Sequence, residues 1–272
     1  MPRAKRYYME GLIWHITHRC HQKKFSLKFL RDRRCWIQWL YEACKRYGLS
    51  VLNYCVTCNH IHLLVYDKGC GEIPRSMQLI AGCTGQAYNK RKEKEGAFWD
   101  DRYHATAVDT ENHLLRCCSY IDFNMIRAGV VTHPDEWPAC GYREIINGKE
   151  RYKIIDRDML SKLMIKNTPE KLGEIYKAHT DELITAEYVG KREPEWTESI
   201  AVGSDEFIDS IKSKITHIRT AWKNRTHTMS DGTSILCDKS ETYNDKYTYS
   251  VDFGGEMGTL RAKNSRYKCI SR

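Results

Sequence analysis

The order of apolar segments before residue 130 is the feature that most restricts how this chain can fold. Strands are predicted at 11–19, 51–57, 60–66 and 103–108, and helices at 26–47 and 73–92. Gly48 and Gly96 follow the two helices, where glycine readily ends a helix. The resulting order, βαββαβ, predicts an α+β unit of the ferredoxin-like type, an antiparallel sheet with helices on one face.

The pattern changes after this unit. A further helix is expected from Asp109 or Thr110 to about Arg127, with Gly129 as its left-handed stop. Beyond Trp137, capping residues and helical spacing predict helices at 156–165, 168–184 and 204–223. Residues 225–272 are polar without sustained periodicity, which predicts weak order. The chain is therefore divided into residues 1–150, a mostly helical extension at 151–224 and a tail at 225–272.

Composition narrows the class of protein. Of the 272 residues, 41% are hydrophobic and 29% charged, so the chain can bury a core. It has no run of roughly 18 apolar residues, so an integral membrane protein is excluded. The basic start is interrupted by Glu10 and His15, which does not fit a secretion signal. Without such a signal, the 12 cysteines are typical of reduced thiols, and a cytoplasmic protein is expected.

Positive charge is concentrated at the start of the chain. Residues 1–50 hold 12 basic and 3 acidic side chains, which accounts for the whole net charge of +9. The same segment carries Tyr7, Tyr8, Trp14, Trp36 and Trp39. Basic side chains neutralise phosphates and aromatic rings stack on bases, so one interpretation is a nucleic-acid-binding surface. The other is a solvated basic face over core aromatics.

Two histidines in a predicted strand form the first candidate site. His60 and His62 are two residues apart, so both imidazoles point to one face and could hold one divalent metal. The alternative is a pair of surface histidines. Cys55 and Cys58 lie just upstream, but four ligands within eight residues do not resemble the loop-separated pairs of a structural zinc site.

Tyr120 is the second candidate. Asn124 follows it by one helical turn on the same face. A tyrosine on an amphipathic helix is commonly a core or rim residue. Beside a metal that polarises a phosphate, however, the phenol could act as a nucleophile. Two imidazoles and an amide oxygen would leave metal positions open for phosphate oxygens.

Four segments, in order, resemble the motifs of a known family. Residues 59–65 resemble the HUH motif (histidine–hydrophobe–histidine) of single-strand DNA nucleases. Residues 14–19, 98–104 and 119–129 resemble the family's first strand, its aromatic-x-x-Arg-Tyr segment and the helix with its single catalytic tyrosine. Together they resemble REP-associated tyrosine transposases, of the single-tyrosine HUH transposase superfamily. Residues 1–150 are accordingly expected to form an HUH single-tyrosine transposase domain.

The sequence departs from the family pattern at two places. Thr57-Cys58 stands where the family often has Met-Pro, and Met125 stands where it often has proline after the asparagine. Neither change removes a proposed catalytic atom, so both concern the geometry of a turn and a helix.

The resemblance implies a metal-dependent transposase and endonuclease that cleaves and rejoins hairpin-associated DNA through a 5′-phosphotyrosine. Tyr120 would attack the scissile phosphate, while His60, His62 and Asn124 would bind Mg²⁺ or Mn²⁺. The expected partner is single-stranded or hairpin DNA, bound by a nucleoid-associated monomer or homodimer with no membrane partner. The candidate DNA-binding residues, chosen mainly by charge, are Arg19, Lys23, Lys24, Arg31, Arg33, Arg34, Arg102 and Tyr103.

Two other functions stay open at this point. A domesticated hairpin-binding regulator would keep the fold without turnover, although binding alone does not need His60, His62, Tyr120 and Asn124 together. An RNA-binding ferredoxin-like module would place exposed aromatics on its central strands, where this chain has the histidines.

Overall fold

The computed structural model describes residues 8–164, 169–185, 192–218 and 224–238. Seven strands are present in these ranges: β1 Ile13–Arg19, β2 Ser50–Val56, β3 His60–Tyr66, β4 His104–Val108, β5 Ala201–Gly203, β6 Asn224–Thr228 and β7 Ser234–Asp238. The α-helices are α1 Leu30–Tyr47, α2 Glu72–Lys92, α3 Asn112–Asp122, α4 Asn124–Arg127, α5 Tyr142–Asn147, α6 Arg157–Met164, α7 Pro169–Thr185, α8 Glu195–Glu198 and α9 Asp205–Ile218.

The first four strands confirm the ferredoxin-like prediction. They lie in the order β2-β3-β1-β4, and each neighbouring pair is antiparallel. Helix α1 covers one face, where the Trp36 ring lies 6.4 Å from Tyr54 of β2. Helix α3 covers the other face, where Asn53 of β2 donates a hydrogen bond to Asp122. The sheet is therefore buried on both sides, and the histidine face of β3 lies under α3.

The extension adds both helices and strands. Helices α6, α7 and α9 confirm the three helices predicted there. Strand β5 pairs in parallel with β4, and β7 and β6 continue the sheet to seven strands. These three strands were not predicted. Strands β6 and β7 correct the expectation of weak order for residues 225–238, while residues 239–272 lie outside the described ranges.

The helix predicted before residue 127 is two helices. Helix α3 begins at Asn112 and stops at Asp122, and Phe123 separates it from α4. Asp109 does not cap it; instead its carboxylate accepts hydrogen bonds from the backbone N–H and the hydroxyl of Ser204. Gly129 adopts the left-handed conformation that was predicted for it, with φ +64°. The break at Phe123 places Asn124 on a short helix of its own.

A close approach between α7 and α5 gives a stability prediction. A Cβ added at Gly173 would lie 2.1 Å from the carbonyl oxygen of Ile146. Alanine normally stabilises a helix interior relative to glycine, but the clash here should lower the free energy of unfolding of Gly173→Ala by about 1–3 kcal/mol. Urea denaturation would measure the change.

The matched control is Gly82→Ala in the middle of α2. Gly82 is exposed, and a Cβ there meets no atom within 4 Å. This variant should be more stable than the parent by up to about 1 kcal/mol. Equal stabilisation by the two substitutions would contradict the described α5–α7 contact.

Candidate active site

Side chains from three elements meet on the sheet face that α3 covers. Strands β1 and β3 are antiparallel neighbours, which brings His15 beside His62. Their nearest ring nitrogens, His15 Nε2 and His62 Nδ1, are 2.9 Å apart. The Tyr120 ring centroid lies 5.8 Å from that of His62, and the His60 ring lies 4.9 Å from it. The two motifs found in the sequence therefore form one cluster.

Asn124 completes this cluster from α4. Its side-chain Nδ2 lies 2.8 Å from His62 Nε2. All four residues predicted as nucleophile or metal ligands are thus neighbours, although His62 and Asn124 are 62 positions apart in the sequence. Their chemical roles stay predictions.

Hydrogen bonds orient the His60 ring. Its Nδ1 lies 2.7 Å from Asn59 Oδ1 and 2.9 Å from Thr57 Oγ1. Asn59 Nδ2 donates to the carbonyl of Lys23, so its Oδ1 must be the atom that faces His60. An amide oxygen only accepts, so His60 carries its proton on Nδ1 and keeps a lone pair on Nε2. Thr57, which departs from the family pattern, holds the same turn by donating to the His60 carbonyl.

The imidazoles of the cluster are neutral near physiological pH. Burial lowers the pKa of His15 to about 3 and the pKa of His62 well below its usual value. The pKa of His60 is lowered to about 3 by burial and by the positive charges of Arg19 and Arg127. Neutral imidazole is the form that binds a metal.

The donor set fits a divalent metal that takes further ligands from outside the protein. His60 and His62 supply two imidazole nitrogens, and the amide oxygen of Asn124 could be a third ligand if the amide turns. In the described ranges, no group of three or more His, Cys, Asp and Glu side chains has metal-binding geometry. Cys55 and Cys58 are buried thiols, and burial raises the pKa of Cys55 well above its usual value. Burial thus favours the neutral thiol of Cys55 over the thiolate that ligates zinc.

Tyr120 is held between the sheet and the extension. Its side chain is 6% exposed, and burial raises the pKa of its phenol. The Arg127 guanidinium lies 4.2 Å from its ring centroid, and this positive charge lowers the pKa in opposition to burial. Trp196 of the extension lies 6.4 Å from the same ring. Arg127, seven residues after Tyr120, was not among the predicted site residues.

The basic candidates separate into two groups. Arg19, Lys24, Arg31, Arg34 and Arg102 are exposed, and Lys23 is half-buried. Arg19 pairs with His60 across β1 and β3, which places it beside the site. Lys24 also lines a cleft of about 380 Å³ between the loops around residues 21–26 and 94–98.

The prediction that Arg33 binds DNA is corrected by its position in the structure. It is 6% exposed, and its Nη1 donates to the carbonyl oxygens of Leu27 and Lys28 at 3.0 and 2.6 Å. Its guanidinium also lies 4.4 Å from the Trp137 ring. The first turn of α1 points this side chain inward, so Arg33 stabilises the helix start and is not presented to a phosphate.

The aromatic candidates are partly engaged in packing. Trp99 stacks on His18 with 4.1 Å between ring centroids, and its indole N–H donates to the carbonyl of Ala81. Tyr103 is half-buried, and its hydroxyl accepts a hydrogen bond from Tyr8 at 3.0 Å. Trp99 is therefore partly buried and engaged in packing against the core.

Acid should destabilise the fold through the histidine cluster. The unfolded histidines bind protons below about pH 6.5, but in the folded protein the pKa of His15 and of His60 is about 3, and the pKa of His62 lies well below its usual value. Asp122 has the opposite effect on the pH dependence and offsets one histidine. Burial raises the pKa of its carboxyl to about 7, so between about pH 4 and pH 7 the folded state holds a proton that the unfolded state has lost. The free energy of unfolding should fall below pH 6.5, by up to about 1.4 kcal/mol per pH unit for each unbalanced proton.

Urea denaturation in chelator at pH 5, 6 and 7 measures the slope of the free energy of unfolding against pH. His60→Ala should reduce it by up to about 1.4 kcal/mol per pH unit, because one titrating histidine is removed. An unchanged slope in His60→Ala would show that His60 is not held neutral by the fold.

Part of the chain is similar to a known sequence family. Residues 8–124 match the sequence family described as "Transposase IS200 like". That segment is therefore similar to the IS200-like transposases, in agreement with the resemblance that the four motifs indicated. It contains Tyr120, His60, His62 and Asn124.

The REP-associated tyrosine transposases are the particular relatives that the comparison finds. A Haemophilus influenzae protein assigned as a REP-associated tyrosine transposase is 22% identical over 118 residues, which are 40% of this chain and 67% of the relative. Of the solved structures, a REP-associated tyrosine transposase bound to a REP hairpin matches with a TM-score of 0.45 and 16% identity, over 57% of this chain and 94% of the other. A protein of Deinococcus radiodurans assigned as a transposase matches with a TM-score of 0.30 and 17% identity, over 39% and 86%.

Every helix within the described residues is either too short or too polar to span a lipid bilayer.

Proposed function

We propose that this protein is a metal-dependent single-strand DNA transposase and endonuclease that cleaves and rejoins hairpin-associated DNA through a 5′-phosphotyrosine. The observation that carries the proposal is the convergence of Tyr120 with His60, His62 and Asn124 on one sheet face. The three imidazoles of the cluster, including His15, are neutral, and His60 keeps a lone pair on Nε2. This constellation supplies a nucleophile and metal ligands together.

Cleavage starts at the phenol of Tyr120. The phenol loses its proton and its oxygen bonds to the scissile phosphorus, the bond from phosphorus to the 3′ oxygen breaks, and the 3′ oxygen takes up a proton and leaves as a hydroxyl. The positive charge of Arg127 favours the phenolate that makes this attack. A Mg²⁺ or Mn²⁺ ion held by His60, His62 and Asn124 would supply Lewis-acid polarisation of the phosphate.

Rejoining is the reverse reaction. A second strand's 3′ hydroxyl attacks the phosphotyrosine, a phosphodiester forms, and Tyr120 regains its proton. The bond energy is kept in the phosphotyrosine, so no external energy source is needed. Tyr120 is 6% exposed between the sheet and Trp196, and this limits the access of water that would hydrolyse the intermediate.

The aromatic residues of the central strands favour this function over the RNA-binding alternative. Those of β1 and β3 are Trp14 and Tyr66, which are buried and half-buried. An RNA-binding module of this fold needs exposed aromatics there for stacking bases. Here α3 covers the histidine face of these strands.

The proposed function is tested with labelled single-stranded hairpin DNA from around the protein's own gene. The full chain is incubated with Mg²⁺, with Mn²⁺ or with chelator, and a covalent protein–DNA band is sought on a denaturing gel. We expect a band that requires the metal. No band, with tight hairpin binding under the same conditions, would overturn the transposase proposal in favour of a hairpin-binding regulator.

Binding should depend strongly on salt through the exposed basic residues. For each phosphate that is no longer neutralised, the slope of log affinity against log salt should become shallower by about 0.7 to 0.9. Replacing Lys24 and Arg31 by alanine should therefore weaken hairpin binding at low salt and flatten this slope. Fluorescence anisotropy in chelator would measure both.

The matched control replaces Arg151 and Lys153, two exposed basic residues outside the basic segment. The control should change the slope little. Equal effects of the two double variants would contradict a DNA surface on the N-terminal segment.

A further inference from the structure

The extension contributes a main-chain atom to the histidine cluster. The carbonyl oxygen of Trp196, in α8, lies 2.8 Å from His15 Nδ1 across 181 positions of sequence. His15 is fully buried and lies 2.9 Å from His62 through its other nitrogen. A chain of hydrogen bonds therefore runs from the extension through His15 to His62, which the resemblance to the family did not include.

The segment that bears this carbonyl is held firmly against β4. The Thr106 hydroxyl donates to the carbonyl of Ser199 at 2.7 Å, and the Ala107 N–H donates to that of Ile200 at 2.7 Å. The Trp196 ring is fully buried, and its indole N–H donates to Glu193 at 2.8 Å. The Trp196 carbonyl is thus a fixed acceptor.

The direction of this chain follows from its two ends. A carbonyl oxygen only accepts, so His15 must donate from Nδ1. At the other end Asn124 Nδ2, which only donates, lies 2.8 Å from His62 Nε2, so His62 accepts at Nε2 and the bond between the rings is accepted by His15 Nε2. The donor to that nitrogen is His62 Nδ1, and neutral His62 then carries its lone pair on Nε2, the nitrogen nearest Asn124.

We propose that His15 and the Trp196 carbonyl are a positioning relay, through which the extension holds His62 in the tautomer with Nδ1 protonated and, on Nε2, a lone pair able to bind a metal. This inference rests on the proposed function for its purpose, but the tautomer itself is a property of the metal-free protein. His60 reaches the same tautomer through Asn59, a neighbour in its own turn. His62, buried in the sheet, depends on the extension instead.

Three substitutions at His15 separate the two hydrogen bonds of the relay. Glutamine places its amide group near the position of Nε2, so His15→Gln keeps an acceptor for His62 and removes the bond to Trp196. Asparagine places its amide near Nδ1, so His15→Asn keeps the bond to Trp196 and removes the one to His62. His15→Leu removes both with little change in volume.

The first readout is the nitrogen chemical shifts of His62 in the metal-free full chain near neutral pH. In the parent protein, Nδ1 should be protonated and Nε2 should not. His15→Leu and His15→Asn should move His62 toward a mixture of tautomers, and His15→Gln should restore the parent signature. Thermal unfolding of each variant is followed in parallel, because a merely structural role would lower stability without this tautomer pattern.

The second readout is Mn²⁺ affinity in the absence of DNA, from the electron paramagnetic resonance of free Mn²⁺. Removal of a residue that orients a metal-binding histidine typically weakens affinity by about 10–100-fold, which we expect for His15→Leu and His15→Asn. His15→Gln should stay within about threefold of the parent.

The outcomes distinguish the relay from the proposed function. A parent protein that binds no Mn²⁺ and forms no DNA adduct would overturn the function, while the nitrogen shifts would still judge the relay. Unchanged His62 shifts in His15→Leu, or parent-like Mn²⁺ affinity in that variant, would overturn the relay. Equal effects of His15→Gln and His15→Leu would also overturn it, because the acceptor would then be irrelevant.

Discussion

Replacing Tyr120 by phenylalanine is expected to abolish the covalent protein–DNA product. The variant lacks only the phenol oxygen that would bond to phosphorus, so no phosphotyrosine can form at this position. We expect the yield of adduct to fall by at least about 10³-fold, the usual scale for removal of an essential nucleophile. The measurement is the metal-dependent band on a denaturing gel.

Folding and hairpin binding should stay nearly unchanged in this variant. The aromatic ring remains, and with it the contacts to Arg127 at 4.2 Å and Trp196 at 6.4 Å. Removal of one hydroxyl from a residue that is 6% exposed should change the free energy of unfolding by about 1 kcal/mol or less. A large decrease in binding would point to a structural role.

Tyr66→Phe is the matched control, because Tyr66 lies at the far end of β3 from His60. It should form the adduct at the parental level. If Tyr120→Phe still forms the adduct in the parental amount, Tyr120 is not the nucleophile, and the proposed mechanism fails at its first step.

Replacing His60 by alanine should remove most of the metal-dependent activity. One of the two proposed imidazole ligands is removed, so Mn²⁺ affinity should fall at least tenfold, and the adduct should fall by about 10²-fold or more at moderate Mn²⁺. His60 is the better choice than His62 because it lies partly exposed, whereas His62 is buried between His15 and Asn124. Its removal therefore disturbs the core less.

DNA binding in chelator decides whether this effect is chemical. His60→Ala leaves the basic side chains in place, so hairpin affinity without metal should change little. His227→Ala, at an exposed position on β6, is the control and should leave both metal and DNA binding intact. A collapse of hairpin binding in His60→Ala would mean that this histidine supports the fold rather than the metal.

Local sequence patterns were sufficient to predict the strands and helices of the ferredoxin-like unit. Strands β1 to β4 and helices α1 and α2 have periodic apolar residues and glycine stops, and the structure has them close to their predicted bounds. The break at Phe123 and the strand β5 were not predicted. A three-residue strand has no periodicity of its own, and β5 exists because Ala201 and Val202 pair with β4.

Charge patterns were a less reliable guide to which basic side chains are exposed. A count of charges treats Arg31, Arg33 and Arg34 alike. In the structure, however, the first turn of α1 exposes Arg31 and Arg34 and buries Arg33. The direction in which each side chain leaves the helix decides which arginine is buried, and a local excess of positive charge does not predict that direction. Arg127 was missed for a related reason, since its contact with Tyr120 depends on how α4 follows α3.

The ferredoxin-like order, the histidine pair and the tyrosine helix could be predicted from the amino-acid sequence, because strand alternation, helical spacing and short motifs depend on neighbours in the chain. Three-dimensional packing was needed to show that Tyr120, His60, His62 and Asn124 meet. It was also needed to show that His15 links His62 to the Trp196 carbonyl. Contacts across 181 positions are made by sheet pairing and helix packing, which bring together residues that no local pattern connects.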